Sequence, residues 1–420
     1  MEFKDGVVIE LLRDVRVLEC TVLPTGDQAG RFLGDLGAQS IKIEQPGIGD
    51  YIRDLGDMMA ARHSTTHMLI NRHKRSITLN LRSEAGREVF YKILPSIDIF
   101  VDGFAGDACE RLGVGYEAQR KVKPDIIYCQ TNGFGTRGPY GQIPVHGYMM
   151  GATAGSTQLR VREDGLVEEV VEPSELNFPG YVDGPLMGGL FGAFTALAAL
   201  NYRNQTGKGC YIDSSGTDAT LAAQSLDASC VWNRARTIRG INLPPTVGQD
   251  PLERPKYAFY VTKDDKFVLL AAIEHKFWDH FCDVIERADL REMKYLDSPV
   301  DFRNQGGDKN LAHILRPIMA SRTLAEWMDI ATKHDIPLSP ANSIEDTLQD
   351  PHLRAREIIH ESVHPVAGPF TTVGWPAPVA GQPFDVERHA PTLGEHTEEI
   401  LAEIGYSADD IHALREQGIV

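Results

Sequence analysis

Several things are scarce in this 420-residue sequence, and each scarcity removes a class of protein. Basic residues are outnumbered, 42 Lys and Arg against 59 Asp and Glu, which leaves a net charge of -17. A nucleic-acid binder ordinarily presents a basic surface, so that class is excluded; an anionic small ligand is not, because ligand sites are local. Cysteine is sparse and scattered, at Cys20, Cys109, Cys129, Cys210, Cys230 and Cys282, with no C-x-x-C pair. That spacing suits reduced cytosolic thiols and gives neither a disulfide framework nor a zinc site. No second histidine stands at metal-ligand spacing from His146, and no metal is expected. The N-terminus is broken by charges and lacks a signal-peptide core, and no run reaches the ~18 apolar residues of a membrane span. The run after Asp183 comes nearest, and its glycines and alanines suit close packing inside a protein. The expectation is a soluble cytoplasmic protein. A clean G-x-G-x-x-G and a Walker A loop are also missing, so "GDQAGRFLGDLG" does not announce a classical NAD or ATP site.

What is present is an ordinary globular composition, 42% hydrophobic and 24% charged, without internal repeats. The first half alternates strand and helix patterns. "VRVLEC" predicts a strand, "DQAGRFLGDLGA" a helix ending at Gly37, and "QSIKIEQP" a second strand. "SEAGREVFYKILPS" predicts a helix capped by Ser83, followed by strands in "IDIFVDGF" and "DIIYCQTNGFG". This rhythm implies a parallel, doubly wound sheet. After the Asp183 helix, "TGKGCYIDSSG" reads as turn and strand, with a helix from Thr217. The Pro-rich "NLPPTVGQDPLERP" marks a boundary, and "YAFYVTKDDKFVLLAAI" beyond it reads as a hairpin. "HKFWDHFCDVI" and "TLAEWMDIATKHD" predict helices, and the tail predicts two short ones.

Candidate chemistry is thinly spread. Arg72, Lys74 and Arg75 in "NRHKRSITLNL" read first as solvated surface charge, and alternatively as a basic lip for a phosphorylated cofactor. His146 lies in a loop, where a lone histidine is more often structural than catalytic. Glu274 follows an apolar strand, where a carboxylate often caps the next helix. Asp183 precedes Gly-Pro at a helix start, the pattern of an N-cap. A cap and a nucleophile can be one group, because the helix's positive end favours a carboxylate's negative charge.

Read together, "FLGDLGAQSIKIEQPGIGD", "NRHKRSITLNL", "DIFVDGFAGDACERLGVGYE", "IIYCQTNGFGTRGPYG", "YVDGPLMGGLFGAFTALAALNYRNQTGKGCYIDSS", "DPHLRAR" and "APTLGEHTEEIL" resemble the family III CoA-transferases. This CaiB/BaiF group includes formyl-CoA transferase, carnitine CoA-transferase and α-methylacyl-CoA racemase. The likeness covers nearly the whole chain, in the family's order. It implies an α/β fold with a Rossmann-like large domain built from both chain ends, expected at 1–225 and 331–420. A smaller α+β domain with its linkers is expected at 226–330, and two chains interlink as rings in a homodimer.

The resemblance places the catalytic aspartate on Asp183, with coenzyme A entering as an acyl-CoA substrate and a carboxylic acid as acceptor. Ile70, Lys74, Arg75, Phe104 and Arg111 match the family's segments beside CoA. Pro24 stands where formyl-CoA transferase has an active-site glutamine. Gly103 replaces a CoA-contacting asparagine, Gln45 an arginine, and Gly147 an active-site glutamate. These departures imply an acyl group other than formyl or oxalyl, and a larger one. Gly184, Gly188 and Gly189 are expected to leave room for it. The racemase branch implies instead a His146/Asp183 acid–base pair, with Glu274 in the racemase-like "AAIE". There Gly147 departs again, from an aspartate. A catalytically silent subunit of a heteromeric transferase and a nucleotide-binding dehydrogenase are further alternatives, the latter opposed by the missing fingerprint.

Overall fold

The alternating pattern of the first half assembles into one parallel sheet. In the computed structural model, which describes residues 8–157, 159–170, 183–236, 254–292 and 309–420, six strands lie side by side. They are β1 (Arg16–Cys20), β2 (Gln39–Glu44), β3 (Lys74–Thr78), β4 (Ile99–Asp102), β5 (Ile127–Asn132) and β6 (Cys210–Ser215). Their order is β6-β5-β4-β1-β2-β3, every pair parallel, with Val17 opposite Ile99 and Arg16 opposite Gln39. This is the doubly wound arrangement, in which the chain builds outward from β1 to one edge and then from β4 to the other. Strands buried on both faces need apolar side chains on both, and Val17, Leu18, Ile99, Phe100 and Val101 are all fully buried.

Helices cover the two faces: α1 (Pro24–Asp35), α2 (Thr65–Ile70), α3 (Glu84–Ile93), α4 (Gly147–Ala154), α5 (Gly184–Thr206) and α6 (Gly216–Ala223). In α3 the expected Ser83 cap is present, its hydroxyl accepting from Gly86 N at 3.0 Å, and Val89, Phe90 and Ile93 form the buried stripe. Each such side chain contributes roughly 1.5–3 kcal/mol on burial. The 23-residue α5 is long and apolar enough to cross a membrane. Here its buried small residues, Gly188, Gly189, Gly192, Ala193 and Ala196, are the face it turns inward.

The chain divides into two units, one of residues 1–172, 178–231 and 355–420, the other of residues 173–177 and 232–354. The first unit holds the six-stranded sheet. Its C-terminal part adds a hairpin of β10 (Ile359–His364) and β11 (Gly368–Val373), then α10 (Thr397–Glu403) and α11 (Ala408–Glu416). The second unit is an antiparallel sheet of β7 (Tyr257–Val261), β8 (Phe267–Ala271) and β9 (Leu338–Pro340). Its core gathers Trp278, Phe281, Leu311, Leu315 and Trp327 from α7 (His275–Val284), α8 (Lys309–Met319) and α9 (Leu324–His334). The return to the first unit comes later than the expected 331, because β9 pairs with β8 and keeps the chain in the second unit up to Arg354. Most of the Pro-rich segment expected as the boundary, residues 242–253, lies outside the described residues.

Candidate active site

In a doubly wound sheet, the two strands where the winding reverses leave a crevice beyond their C-terminal ends. Here those strands are β1 and β4, and a cavity of about 480 Å³ opens there. Val22–Thr25 line it after β1, Gly103 and Ala105 after β4, and Asn132 and Gly133 at the end of β5. Val145, His146 and Gly147 bring the entry of α4 to it, Pro185 the first turn of α5, and Tyr51 and Leu55 a further side.

The wall after β1 is pinned from below by a layer of buried charge. Leu23 adopts φ 68°, a left-handed conformation that costs a residue with a Cβ of order 1 kcal/mol or more. Its N–H donates to the Asp50 carboxylate at 3.0 Å, and Asp50 also accepts from Ile52 N at 3.0 Å. Lys42 lies beneath, its Nζ 2.9 Å from Asp50 Oδ2, 2.5 Å from Asp27 Oδ1 and 2.9 Å from Thr21 Oγ1. Lys74 Nζ is 2.7 Å from Glu19 Oε1 and donates to the Asp27 carbonyl at 2.9 Å. Two ammonium groups thus meet three carboxyl groups, all almost entirely buried. Burial pushes Glu19 up to about 7 against the pull of Lys74 and Lys42, and burial also raises Asp50. The charge layer therefore holds the strand-to-helix turn that shapes the cavity.

Asp183 is the N-cap of α5. Its Oδ1 accepts from Leu186 N at 3.0 Å, and Pro185 occupies the first turn, where a missing N–H costs nothing. Asp183 is half-buried, two residues ahead of the cavity-lining Pro185, and its Oδ2 bonds to no described residue. Asn132 is the site residue that sequence reasoning missed, having been read only as the end of a strand. Its Oδ1 accepts from Gly135 N at 2.6 Å, while Nδ2 is buried without a partner. The neighbouring turn is fixed by Asp213, which accepts from Thr136 N at 2.9 Å and Thr136 Oγ1 at 2.6 Å. The signal was the "NGFGT" turn itself, an Asn with two glycines at a strand's C-terminal end.

The remaining expected positions separate. Pro24, Gly103 and Gly147, three of the departures from formyl-CoA transferase, line this one cavity, and His146 lines it too, as the exposed N-cap of α4. Phe104 is half-buried, its N–H donating to Asp102 Oδ1 at 2.9 Å. Arg111 is exposed and paired with Asp107. Ile70 is buried at the end of α2. The surface-charge reading of Lys74 is corrected: its ammonium is fully buried and paired with Glu19. Arg72 is buried as well, bidentate to Asp35 at 2.7 Å through each nitrogen. Arg75 faces a different cleft, held by Glu399 and Glu403. Glu274 belongs to the second unit, an N-cap of α7 by backbone geometry with no capping hydrogen bond from its side chain. The glycines of α5 also need correction, because helices fill the space beside them. A Cβ on Gly189 would stand 2.5 Å from Gln28 Cβ, on Gly188 3.0 Å from Gly216 Cα, and on Gly184 2.7 Å from Met150 Cβ.

A doubly wound α/β chain with a switch-point cavity, lined by the first turn of a helix that a carboxylate caps, has the form of an enzyme working on a cofactor-sized ligand. Residues 12–397 match the model of CoA-transferase family III. The chain belongs to that family and is a CoA-transferase. It is 28% identical to mouse succinyl-CoA:glutarate CoA-transferase, the match covering 97% of this chain and 90% of that one. It is also 28% identical to a formyl-CoA:oxalate CoA-transferase of Rhodopseudomonas palustris, covering 97% of this chain and 96% of that one. Among solved structures, a CaiB/BaiF family protein from Brucella suis shares the fold, with TM-score 0.70 and 23% identity over 95% of this chain and all of that one.

Proposed function

We propose that the protein moves CoA from an acyl-CoA to a free carboxylic acid through covalent intermediates on Asp183. One observation carries this reading: the half-buried Asp183 carboxylate caps α5, two residues before the cavity-lining Pro185. An Asp183 oxygen attacks the thioester carbonyl carbon, the carbon–sulfur bond breaks, and CoA leaves as thiolate, giving an acyl-aspartyl anhydride. The thiolate then attacks the aspartyl carbonyl, releasing the first acid and leaving an aspartyl-CoA thioester. The acceptor carboxylate displaces CoA from that thioester to form a second anhydride. The returning thiolate attacks the acceptor's acyl carbon, forming the product and restoring Asp183. Each step exchanges one activated acyl bond for another, so no step is deeply downhill. Asn132 lines the cavity and its buried Nδ2 is unpartnered, which makes it the donor we assign to the oxyanion of these tetrahedral states. His146 carries no proton in this scheme, because every step is displacement at an acyl carbon. We infer a homodimer as the working form, supported by the exposed Phe191, Phe194 and Tyr202 of α5.

Asp183→Asn separates the two roles of this residue, because Asn caps a helix about as well as Asp and offers no carboxylate. The expected outcome is a folded protein without CoA exchange, while wild type incubated with acyl-CoA yields a hydroxylamine-trapped adduct at residue 183. Undiminished exchange by the Asn variant would sink the mechanism.

A further inference from the structure

With Asp183 taken as the nucleophile, the walls of the cavity point to the acid that it loads. We propose that the protein transfers CoA among monocarboxylic acids with apolar, branched or aromatic bodies, and discriminates against dicarboxylic acids. This inference rests on the covalent reading above and narrows it.

The first support is charge. Among the described residues no Arg, Lys, Asp or Glu side chain lines the cavity; the polar groups there are Thr25, Tyr51, Asn132 and His146. A dicarboxylic acid whose first carboxyl group is at Asp183 must place its second within or beyond these walls. A carboxylate taken out of water without a cationic partner loses several kcal/mol of solvation. His146 is exposed to solvent and so offers a weak, screened partner at best.

The second support is size and surface. A liquid water takes about 30 Å³, so a cavity of about 480 Å³ holds on the order of a dozen heavy atoms. A one-carbon acyl group and the adjoining thioester would leave most of it filled with water. Leu23, Pro24, Leu55, Val145 and Pro185, with the ring of Tyr51, give the walls an apolar character. Each methylene buried against them contributes about 0.8 kcal/mol. The third support is the position of the polar atoms. Asn132 is the one lining residue with a buried, unpartnered side-chain donor among those described, which matches an acid with one polar end and an apolar remainder.

The test compares four thioesters of the full-length protein's reaction: 3-methylbutanoyl-CoA, 3-phenylpropanoyl-CoA, succinyl-CoA and glutaryl-CoA, each with its own labelled free acid as acceptor. The expected kcat/KM is on the order of 100-fold higher for the two apolar acids, as expected when an ionised group is left without a partner. Leu55→Arg, at an exposed wall position, supplies the missing cation. It is expected to raise kcat/KM for glutarate by about tenfold and to lower it for 3-methylbutanoate, at unchanged thermal stability. Equal or reversed preference in wild type, with hydroxylamine trapping at residue 183 intact, overturns the substrate proposal alone. Transfer without any trapping at residue 183 overturns the covalent reading on which it stands.

Discussion

Asn132 commits one half of its amide and leaves the other half unused. Oδ1 accepts from Gly135 N, which fixes the turn after β5, and the buried Nδ2 has no partner. Such an orphan donor costs about 1–3 kcal/mol, and in the mechanism proposed above an oxyanion would remove that cost. Asn132→Ala is expected to lower kcat by about 10²–10³-fold while the KM for acyl-CoA moves less than about threefold, read by steady-state exchange kinetics. Asn132→Asp keeps the turn's acceptor and removes the donor, so it should lose a similar factor; full kcat in that variant would assign the residue to the turn alone. At this scale the sequence was only partly legible. Asp183 could be read locally as a cap, because Asp-Gly-Pro is a local pattern. Lys74 could not be read at all, since the group that claims it, Glu19, is 55 residues away in the chain. A charged residue's partner is set by sheet order, and "NRHKR" carries no trace of it.

Elements were easier to read than their contacts. β1, β2, β4, β5, β6 and α3 follow from apolar period, caps and turns, which are short-range properties. The helix α4 was missed, because "HGYMMGATA" has glycines at both positions where a periodic apolar face would declare itself. The β10–β11 hairpin was missed too: its strands are only six residues each, half-exposed, and stitched by His and Thr as much as by apolar side chains. The role of the α5 glycines shows how an element's face is decided by its neighbour. Replacing Gly189 by Ala would add about 1 kcal/mol of helix propensity if α5 stood alone. Against α1, the new Cβ stands 2.5 Å from Gln28 Cβ and 3.0 Å from the backbone nitrogen of Ala29, which cannot swing aside. Overpacking of this kind costs roughly 1–3 kcal/mol, so the steric effect wins. Gly189→Ala is therefore expected to lower stability by up to about 2 kcal/mol in urea unfolding, and Gly189→Val by more. Because α1 begins at the cavity wall, both should also raise KM. A Gly189→Ala protein as stable as wild type would show that the two helices can part without loss.

For the whole molecule, the buried titratable groups of the first unit set how stability follows pH. Burial, aided by the Arg53 charge, lowers His67 from 6.5 to about 3, and burial lowers His73 to about 4 against the pull of Asp35. Burial opposes the charge of Glu44, but the hydrogen bonds and charge of Arg53 prevail and hold it down at about 2, below its ordinary 4.5. These three groups bind fewer protons folded than unfolded. Their stabilisation is complete above pH 6.5 for the histidines and 4.5 for Glu44, and is lost as pH falls through the folded values. Glu19, raised by burial to about 7 from 4.5, and Asp102, raised by burial to about 6 from 3.8, act in the opposite sense. Their contribution is complete below the unfolded values and is lost as pH rises through the folded ones. Between pH 4.5 and 6 the raised Glu19, Asp102 and Asp50 oppose His67 and His73, and His63, His360, His389 and His396, also lowered by burial, tip the balance, so stability should rise gently with pH there. Below about 4.5 Glu44 joins the histidines while the raised carboxyls fall silent, and stability should drop steeply. Glu19→Gln tests the balance, because Gln is the near-isostere of the protonated form already present at low pH. The variant should match wild type near pH 4 and gain on it by on the order of 1–3 kcal/mol as pH rises to 7, measured by urea unfolding at each pH. A difference that is constant from pH 4 to 8 would mean that Glu19 is ionised throughout, and that Lys74 and Lys42 outweigh its burial.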